Sequence, residues 1–231
     1  MISPHLRILS THAVMELIAA LGPALERASG RALSVSYDPT KALMRRIEEG
    51  ADFDLVIATR RALDSLARSG KIVPASRRDI ARSGLGVSVR KGASKPDIAT
   101  VEAFKAALLA ARSVVRSREG ASGQYFAALL ARLGIAQAMR DKIILGPSGR
   151  VAELVARGEA ELAVQQTSEL VPVAGAQYVG PLPPELQLYT YFAAGIGSAC
   201  GDAKGAAALI EVLAGAPPSL LAACGLEPAS G

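Results

Sequence analysis

The stretch Ser113–Gly134, SVVRSREGASGQYFAALLARLG, reads as a short strand, a loop of small residues and an amphipathic helix. Gly120, Ala121, Ser122 and Gly123 carry little side-chain bulk where the helix should begin. Tyr125, Phe126, Leu129, Leu130 and Leu133 then recur at helical spacing, and Gly134 closes the helix. A bare helix start presents unpaired backbone N–H groups and a partial positive charge, which suits an anion. The same grammar occurs twice earlier. Arg7–Gly30 gives a strand, a Ser10-Thr11-His12 turn and a helix; Leu33–Gly50 gives a strand, an Asp38-Pro39-Thr40 turn and a helix. Three small or polar strand-to-helix turns predict one anion held between several helix N-termini.

Working outward, strand-like and helix-like runs alternate along the chain, which argues for parallel sheets covered by helices. Strands are expected at Leu6–Leu9, Leu33–Tyr37, Leu55–Ala58, Leu85–Val89, Ser113–Arg116, Ile143–Leu145, Leu162–Gln165 and Leu188–Ala193. The first helix carries Val14, Leu17, Ile18, Leu21 and Leu25 on one face, and Pro23 inside it predicts a kink or a break. The segments GLGVSVRKGASKPD and LQLYTYFAAGI are strands that do not enter a helix at once, as crossing strands between two lobes would be. Two helices, at about 202–214 and 217–224, would complete the first lobe.

Composition narrows the function. At 231 residues, 50% hydrophobic and 20% charged, the chain suits one or two α/β domains with a real core. Aromatics make up only 4% and Trp is absent, which speaks against sugar stacking and single-stranded nucleic-acid binding. The net charge of +5 is concentrated between Arg60 and Lys95, where ten Lys or Arg face two Asp. That stretch has no aromatic residue and no basic amphipathic pattern, so it reads as a solvated face rather than a nucleic-acid or membrane surface. No apolar run is long enough to span a bilayer, and no membrane insertion is expected. No secretory signal is visible, so the chain as it stands reads as cytoplasmic, or as periplasmic if it is a mature form. Cys200 and Cys224 have no metal-like spacing and no nearby histidine; they read as idle thiols, with a disulfide left open. No metal or cofactor is expected: the chain has no P-loop, no G-x-G-x-x-G, no G-x-S-x-G and no H-E-x-x-H.

Several segments, in order, resemble the type 2 periplasmic binding proteins of the molybdate-binding class. IEEGADFDLVIAT, Arg68 to Val73, EGASGQYFAALLARLGI, VAELVARGEAELAVQQTSEL and the terminal CGLEP follow the family's order and spacing over nearly the whole chain. The resemblance implies a two-lobed α/β fold. Each lobe would be a mostly parallel sheet flanked by helices, with a ligand cleft between the lobes. Lobe 1 would be residues 1–83 with 190–231, and lobe 2 residues 84–189.

Carried over position by position, the family's first-loop serine falls at Ala13, just after Ser10, Thr11 and His12. The second-loop serine falls near Thr40 or Lys41. The second-lobe anion loop falls at Ala121, Ser122 and Gly123, the strand giving a backbone contact near Gln165 and Gln166, and the tyrosine at Tyr189. Each has a plainer reading. Ser122 and Thr40 are also ordinary helix-capping types. Lys41 and Arg118 either offset a carboxylate or lie exposed, Glu169 caps or pairs structurally, and Tyr189 reaches a ligand or packs at a crossing strand. One of Gln165 and Gln166 should face the ligand and the other should not. His12 is a ligand donor, a general base, or a packing residue at a helix start.

A lost serine together with a histidine, a lysine and two amides suits a carboxylate as well as a tetrahedral oxyanion. The expected function is binding of a small anion, a molybdate-type oxyanion or an organic carboxylate, for an ABC-transporter permease. The alternative comes from the part of the family that resembles enzymes isomerising aconitate: proton transfer on a small polycarboxylate, with His12 as the catalytic residue.

Overall fold

The computed structural model describes residues 5–147 and 149–229. The chain divides into two compact units, residues 1–82 with 190–231 and residues 83–189.

The chain begins with β1 (His5–Ser10), a 3-10 turn at His12–Val14, α1 (Met15–Ser29), β2 (Ala32–Tyr37), α2 (Thr40–Glu48), β3 (Leu55–Thr59), α3 (Arg60–Arg68) and β4 (Arg78–Ser83). The second unit follows as β5 (Leu85–Arg90), α4 (Val101–Ala110), β6 (Val114–Ser117), α5 (Ala121–Arg132), α6 (Ala136–Met139), β7 (Ile143–Gly146), α7 (Val151–Ala156), β8 (Leu162–Gln166), α8 (Thr167–Leu170) and β9 (Ala176–Pro181). The chain then returns to the first unit through β10 (Thr190–Ile196), α9 (Ala203–Ala214), α10 (Pro218–Ala223) and β11 (Glu227–Pro228).

The first unit's sheet has the order β11-β4-β10-β3-β1-β2. Alternation along β3 explains its two covered faces: Leu55 and Ile57 join one core with α1 and α9, while Val56 and Ala58 join another with α2 and α3. The second sheet has the order β7-β6-β8-β5-β9 and is covered likewise. Val114, Leu162 and Val164 pack on the α4–α5 side, and Val115 and Ala163 on the α7–α8 side. Both sheets are mixed. β1 is parallel to β2 and β3, and β6 to β7 and β8, while β10 and β5 run antiparallel to their neighbours β3 and β8.

These registers put the strand-to-helix turns of each unit on one sheet edge. Ser10 is level with Tyr37 and Ile57, and Thr59 with Phe192. Ser117 is level with Gly146, and Gln166 with Leu85.

Three expectations need correction. α1 runs unbroken through Pro23, whose ring is exposed, so the missing hydrogen bond is on the solvent side. Leu188 and Tyr189 precede β10 and are exposed. β4 and β9 were not expected. β4 carries charges at Arg78, Asp79 and Arg82 around a buried Ile80-Ala81 pair, and β9 is a half-buried strand that ends in Gly180 and Pro181. Neither shows a clean period of two. Both thiols are reduced; Cys224 is buried and Cys200 half-buried, and burial pushes each thiol up.

Candidate functional site

On the first unit, the loop after β1 is pulled tightly onto the sheet. Ser10 is fully buried and its hydroxyl donates to the Thr11 carbonyl at 3.1 Å. The Thr11 amide donates to Ile57 O at 2.9 Å, and Thr11 precedes the 3-10 turn without capping it through its side chain. His12 is half-buried, its ring centroid 6.4 Å from that of Tyr37. Burial, assisted by the Glu16 charge, raises the Tyr37 hydroxyl's pKa. The loop after β2 does not use Thr40 as a cap. Pro39 occupies the cap position, which leaves α2 without a side-chain cap; Thr40 opens the helix half-buried and Lys41 is exposed. Thr59 differs, since its hydroxyl accepts from Ala62 N at 3.4 Å and caps α3.

This edge also carries arginines that sequence reasoning passed over, each already paired. Arg60 donates to both Asp79 oxygens (3.1 and 2.7 Å) and lies 4.2 Å over the Tyr191 ring. Arg46 donates to Asp38 and Ser36. Arg82 reaches Glu227 at 3.1 Å and the Tyr191 hydroxyl at 3.4 Å.

The second unit's edge is different in kind. α5 starts at Ala121 with Gly120 at the cap position and no side-chain cap. Ser122 is therefore inside the first turn, buried, and is not the cap; Gly123 is buried beside it and Ala121 is exposed. Gly123 is required by contact: a Cβ there would lie 2.0 Å from the Ser117 carbonyl oxygen and 2.6 Å from its Oγ. The Ser117 hydroxyl is buried without a hydrogen-bond partner. Arg116, one residue earlier, is half-buried and donates to the carbonyls of Ser117 (3.1 Å) and Gly123 (3.2 Å). Arg118 is exposed, its amide bonded to Gly146 O at 3.0 Å.

At the end of β8, Gln165 is buried and Gln166 half-buried, and the amide oxygen of each is enclosed without a partner. Ser168 opens α8 with its hydroxyl likewise unpartnered, while its amide donates to Ser83 Oγ at 3.2 Å. Gln165 also hydrogen-bonds the Glu169 carboxyl. Burial pushes that carboxyl up to about 7, and the Gln165 bond only moderates the rise. No cation among the described residues pairs with Glu169; of the expected capping or pairing, the structure shows an amide-held acid in the first turn of α8. Tyr189 lies just ahead of β10 and is exposed. Tyr125 is occupied structurally, its hydroxyl donating to Leu186 O at 3.0 Å.

The structure thus groups Ser10, Thr11, His12, Thr40 and Lys41 along one unit's turns, and Ala121, Ser122, Gly123, Gln165 and Gln166 along the other's. Sequence reasoning missed Arg116, Ser117 and Arg60. Arg116 left a signal, a charge directly following the apolar pair Val114-Val115. Among the described residues, no cluster of three or more His, Cys, Asp or Glu side chains could hold a metal ion, and no helix is long and apolar enough to cross a membrane.

Residues 6–217 match the family model described as a bacterial extracellular solute-binding protein. The chain belongs to this family. Among curated relatives of this solute-binding chain is an aconitate isomerase of a Pseudomonas species, 35% identical over 215 residues that cover 90% of this chain and 82% of that protein. Among solved structures, the Azotobacter vinelandii periplasmic molybdate-binding protein matches with a TM-score of 0.77 at 18% identity, covering 96% of this chain and 98% of that one. The Mycobacterium tuberculosis sulfate-binding protein SubI matches with a TM-score of 0.74 at 16% identity, covering 99% and 88%. At these identities the structural matches establish the type 2 solute-binding fold.

Proposed function

We propose that this solute-binding protein takes a small anion, a molybdate-type oxyanion or an organic carboxylate, and hands it to an ABC-type permease. Each unit offers candidate donors of its own: Ser10–His12 and Thr40–Lys41 on the turns of the first, and Ala121–Gly123 with Gln165 and Gln166 on those of the second; Tyr189 lies just ahead of β10. The observation that carries this reading is the start of α5. A twelve-residue helix begins on Gly120 with no side-chain cap, beside a buried Ser117 hydroxyl that has no partner. Bare amides at the positive end of a helix favour negative charge. α4 and α9, by contrast, are capped by Thr100 and Asp202.

The test is a thermal-shift and calorimetric panel of molybdate, tungstate, sulfate, phosphate, citrate, and cis- and trans-aconitate. A bound anion at about a hundred times its Kd adds roughly 2.7 kcal/mol, several degrees in melting temperature. A panel in which no anion shifts the midpoint overturns the reading.

A second reading, isomerisation of a small polycarboxylate, is favoured by the 35% identity to an aconitate isomerase over most of this chain. Such a reaction removes a proton from one carbon and returns it to another, and needs no cofactor. His12 supplies the base in this reading. His12→Ala then abolishes interconversion of cis- and trans-aconitate while leaving measurable binding. An activity that survives the substitution removes His12 from that role.

A further inference from the structure

Among the described residues, Arg116 has no counter-ion. It is half-buried, yet no carboxylate among the described residues pairs with it, and its two hydrogen bonds go to the Ser117 and Gly123 carbonyls. Arg7, Arg46, Arg60, Arg77 and Arg82, also half-buried, each pair with an Asp or Glu. Burial lowers the Arg116 pKa, the direction expected of a guanidinium that gives up water without gaining an anion.

Its position makes the charge stranger. Gly123 lies in the first turn of α5, so the guanidinium sits beside the positive end of a twelve-residue helix. Cations stabilise helix C-termini and are unfavourable at N-termini. An anion placed there would satisfy the guanidinium and the bare amides together. An independent observation points to the same spot. Ser117, 1% exposed, holds a hydroxyl with no partner, 2.6 Å from where a Gly123 Cβ would stand.

Both bonds of Arg116 use one terminal nitrogen, Nη1. The Nε–Nη2 edge keeps two parallel donors, the geometry that grips the two oxygens of a carboxylate. Gln166 follows Val164 onto the α4–α5 side of the sheet, the side that Arg116 shares with Val114, and its enclosed amide oxygen without a partner argues against a tetrahedral oxyanion; Gln165 faces the other side, where it holds Glu169. A fully deprotonated oxyanion brings only lone pairs toward the Gln166 oxygen. A carboxylate on a carbon skeleton turns its C–H or O–H portion there instead.

We propose that Arg116 binds a carboxylate of the ligand and selects small di- and tricarboxylates over tetrahedral oxyanions. The inference rests on the anion-binding reading above and names its ligand class.

Calorimetric titration of the full chain with succinate, citrate, trans-aconitate, molybdate, sulfate and phosphate tests it, together with Arg116→Gln and Arg116→Lys. The wild type is expected to bind at least one polycarboxylate more tightly than any tetrahedral anion. Arg116→Gln should weaken that ligand roughly 30- to 300-fold, and Arg116→Lys should recover only part of the loss, since it keeps the charge without the fork. Without ligand, Arg116→Gln should melt at or above the wild-type temperature, because an uncompensated charge has been removed. If Arg116→Gln binds the polycarboxylate within threefold of wild type, or the unliganded variant melts several degrees lower, Arg116 is structural and the proposal falls. A wild type that prefers tetrahedral oxyanions overturns the ligand class. One that binds no anion at all overturns the functional reading beneath it.

Discussion

The two units answer the same electrostatic problem in opposite ways. In the first, the buried acid Asp54 is fully engaged: it accepts from the Arg7 amide at 2.8 Å and from the Arg7 guanidinium at 3.1 and 3.2 Å. Its edge arginines, Arg46 and Arg60, are bound to Asp38 and Asp79. In the second, among the described residues, the half-buried acid Glu169 has the Gln165 amide alone and Arg116 has carbonyls alone. All the buried side-chain oxygens without a partner among the described residues are there too: Ser88, Ser117, Gln165, Gln166 and Ser168. Ser117, Gln165, Gln166 and Ser168 sit at one edge of the sheet, while Ser88 lies mid-strand opposite Ala163; buried polar groups in folded proteins are nearly always satisfied, and this grouping is what supports the anion-binding proposal. The first unit pairs its edge arginines with its own acids; among the described residues of the second, Arg116 meets only carbonyls.

The harshest way to break the second unit's arrangement is one methyl group. Gly123→Ala places a Cβ 2.0 Å from the Ser117 carbonyl, a backbone atom that cannot swing aside. α5 must then lift from β6, which separates the bare amides from Ser117 and Arg116. We expect a loss on the order of 3 kcal/mol in urea unfolding, together with loss of anion binding. Wild-type stability in this variant would show that the close approach of α5 to β6 is not required.

The next test exploits protonation. Glu169 titrates near 7 in the folded chain but near 4.5 when unfolded. As pH rises from about 4.5 to 7, the unfolded chain releases this proton while the folded chain retains it. The unfolded state then binds fewer protons, and stability falls across that window, by roughly 3 kcal/mol. Glu169→Gln keeps the shape and removes the titration. Its stability should be flat where the wild type declines, so the two curves diverge between about pH 4.5 and 7. Parallel curves would mean that Glu169 is ionised and paired in the folded protein.

How much of this was legible in the sequence depends on the distance over which each feature is decided. The α5 start was readable because a run of small residues followed by helical periodicity is local. So were the α1 and α2 starts, although Pro39 rather than Thr40 holds the cap position of α2. β4 and β9 were not readable. Their burial is supplied by neighbouring strands, and their own residues are charged or half-exposed. Pro23 misled because its exposed ring costs the helix nothing in the core. Arg116 was visible as a charge after two valines, but that no carboxylate reaches it is a tertiary fact. The same holds for Glu169, whose surroundings come from the packing of α8 against β5, β8 and β9.

The mildest test returns to the first unit and reverses the sign of the pH effect. Burial pulls the Asp54 carboxyl upward, but the bonds from Arg7 and the Arg7 charge more than reverse it, so its pKa lies below the ordinary value. A depressed folded pKa gives stability that is present above the unfolded value, near 4, and is lost as pH falls through the folded value. Asp54→Asn should cost about 2 kcal/mol at pH 7, less than for a fully buried pair because the Arg7 side chain is 39% exposed. It should also shallow the acid limb of the stability curve below pH 4 and leave the decline between about pH 4.5 and 7 untouched. The two variants therefore act on separate limbs. A curve in which Asp54→Asn altered the neutral limb, or Glu169→Gln the acid one, would erase the contrast between an acid satisfied inside its unit and one that is not.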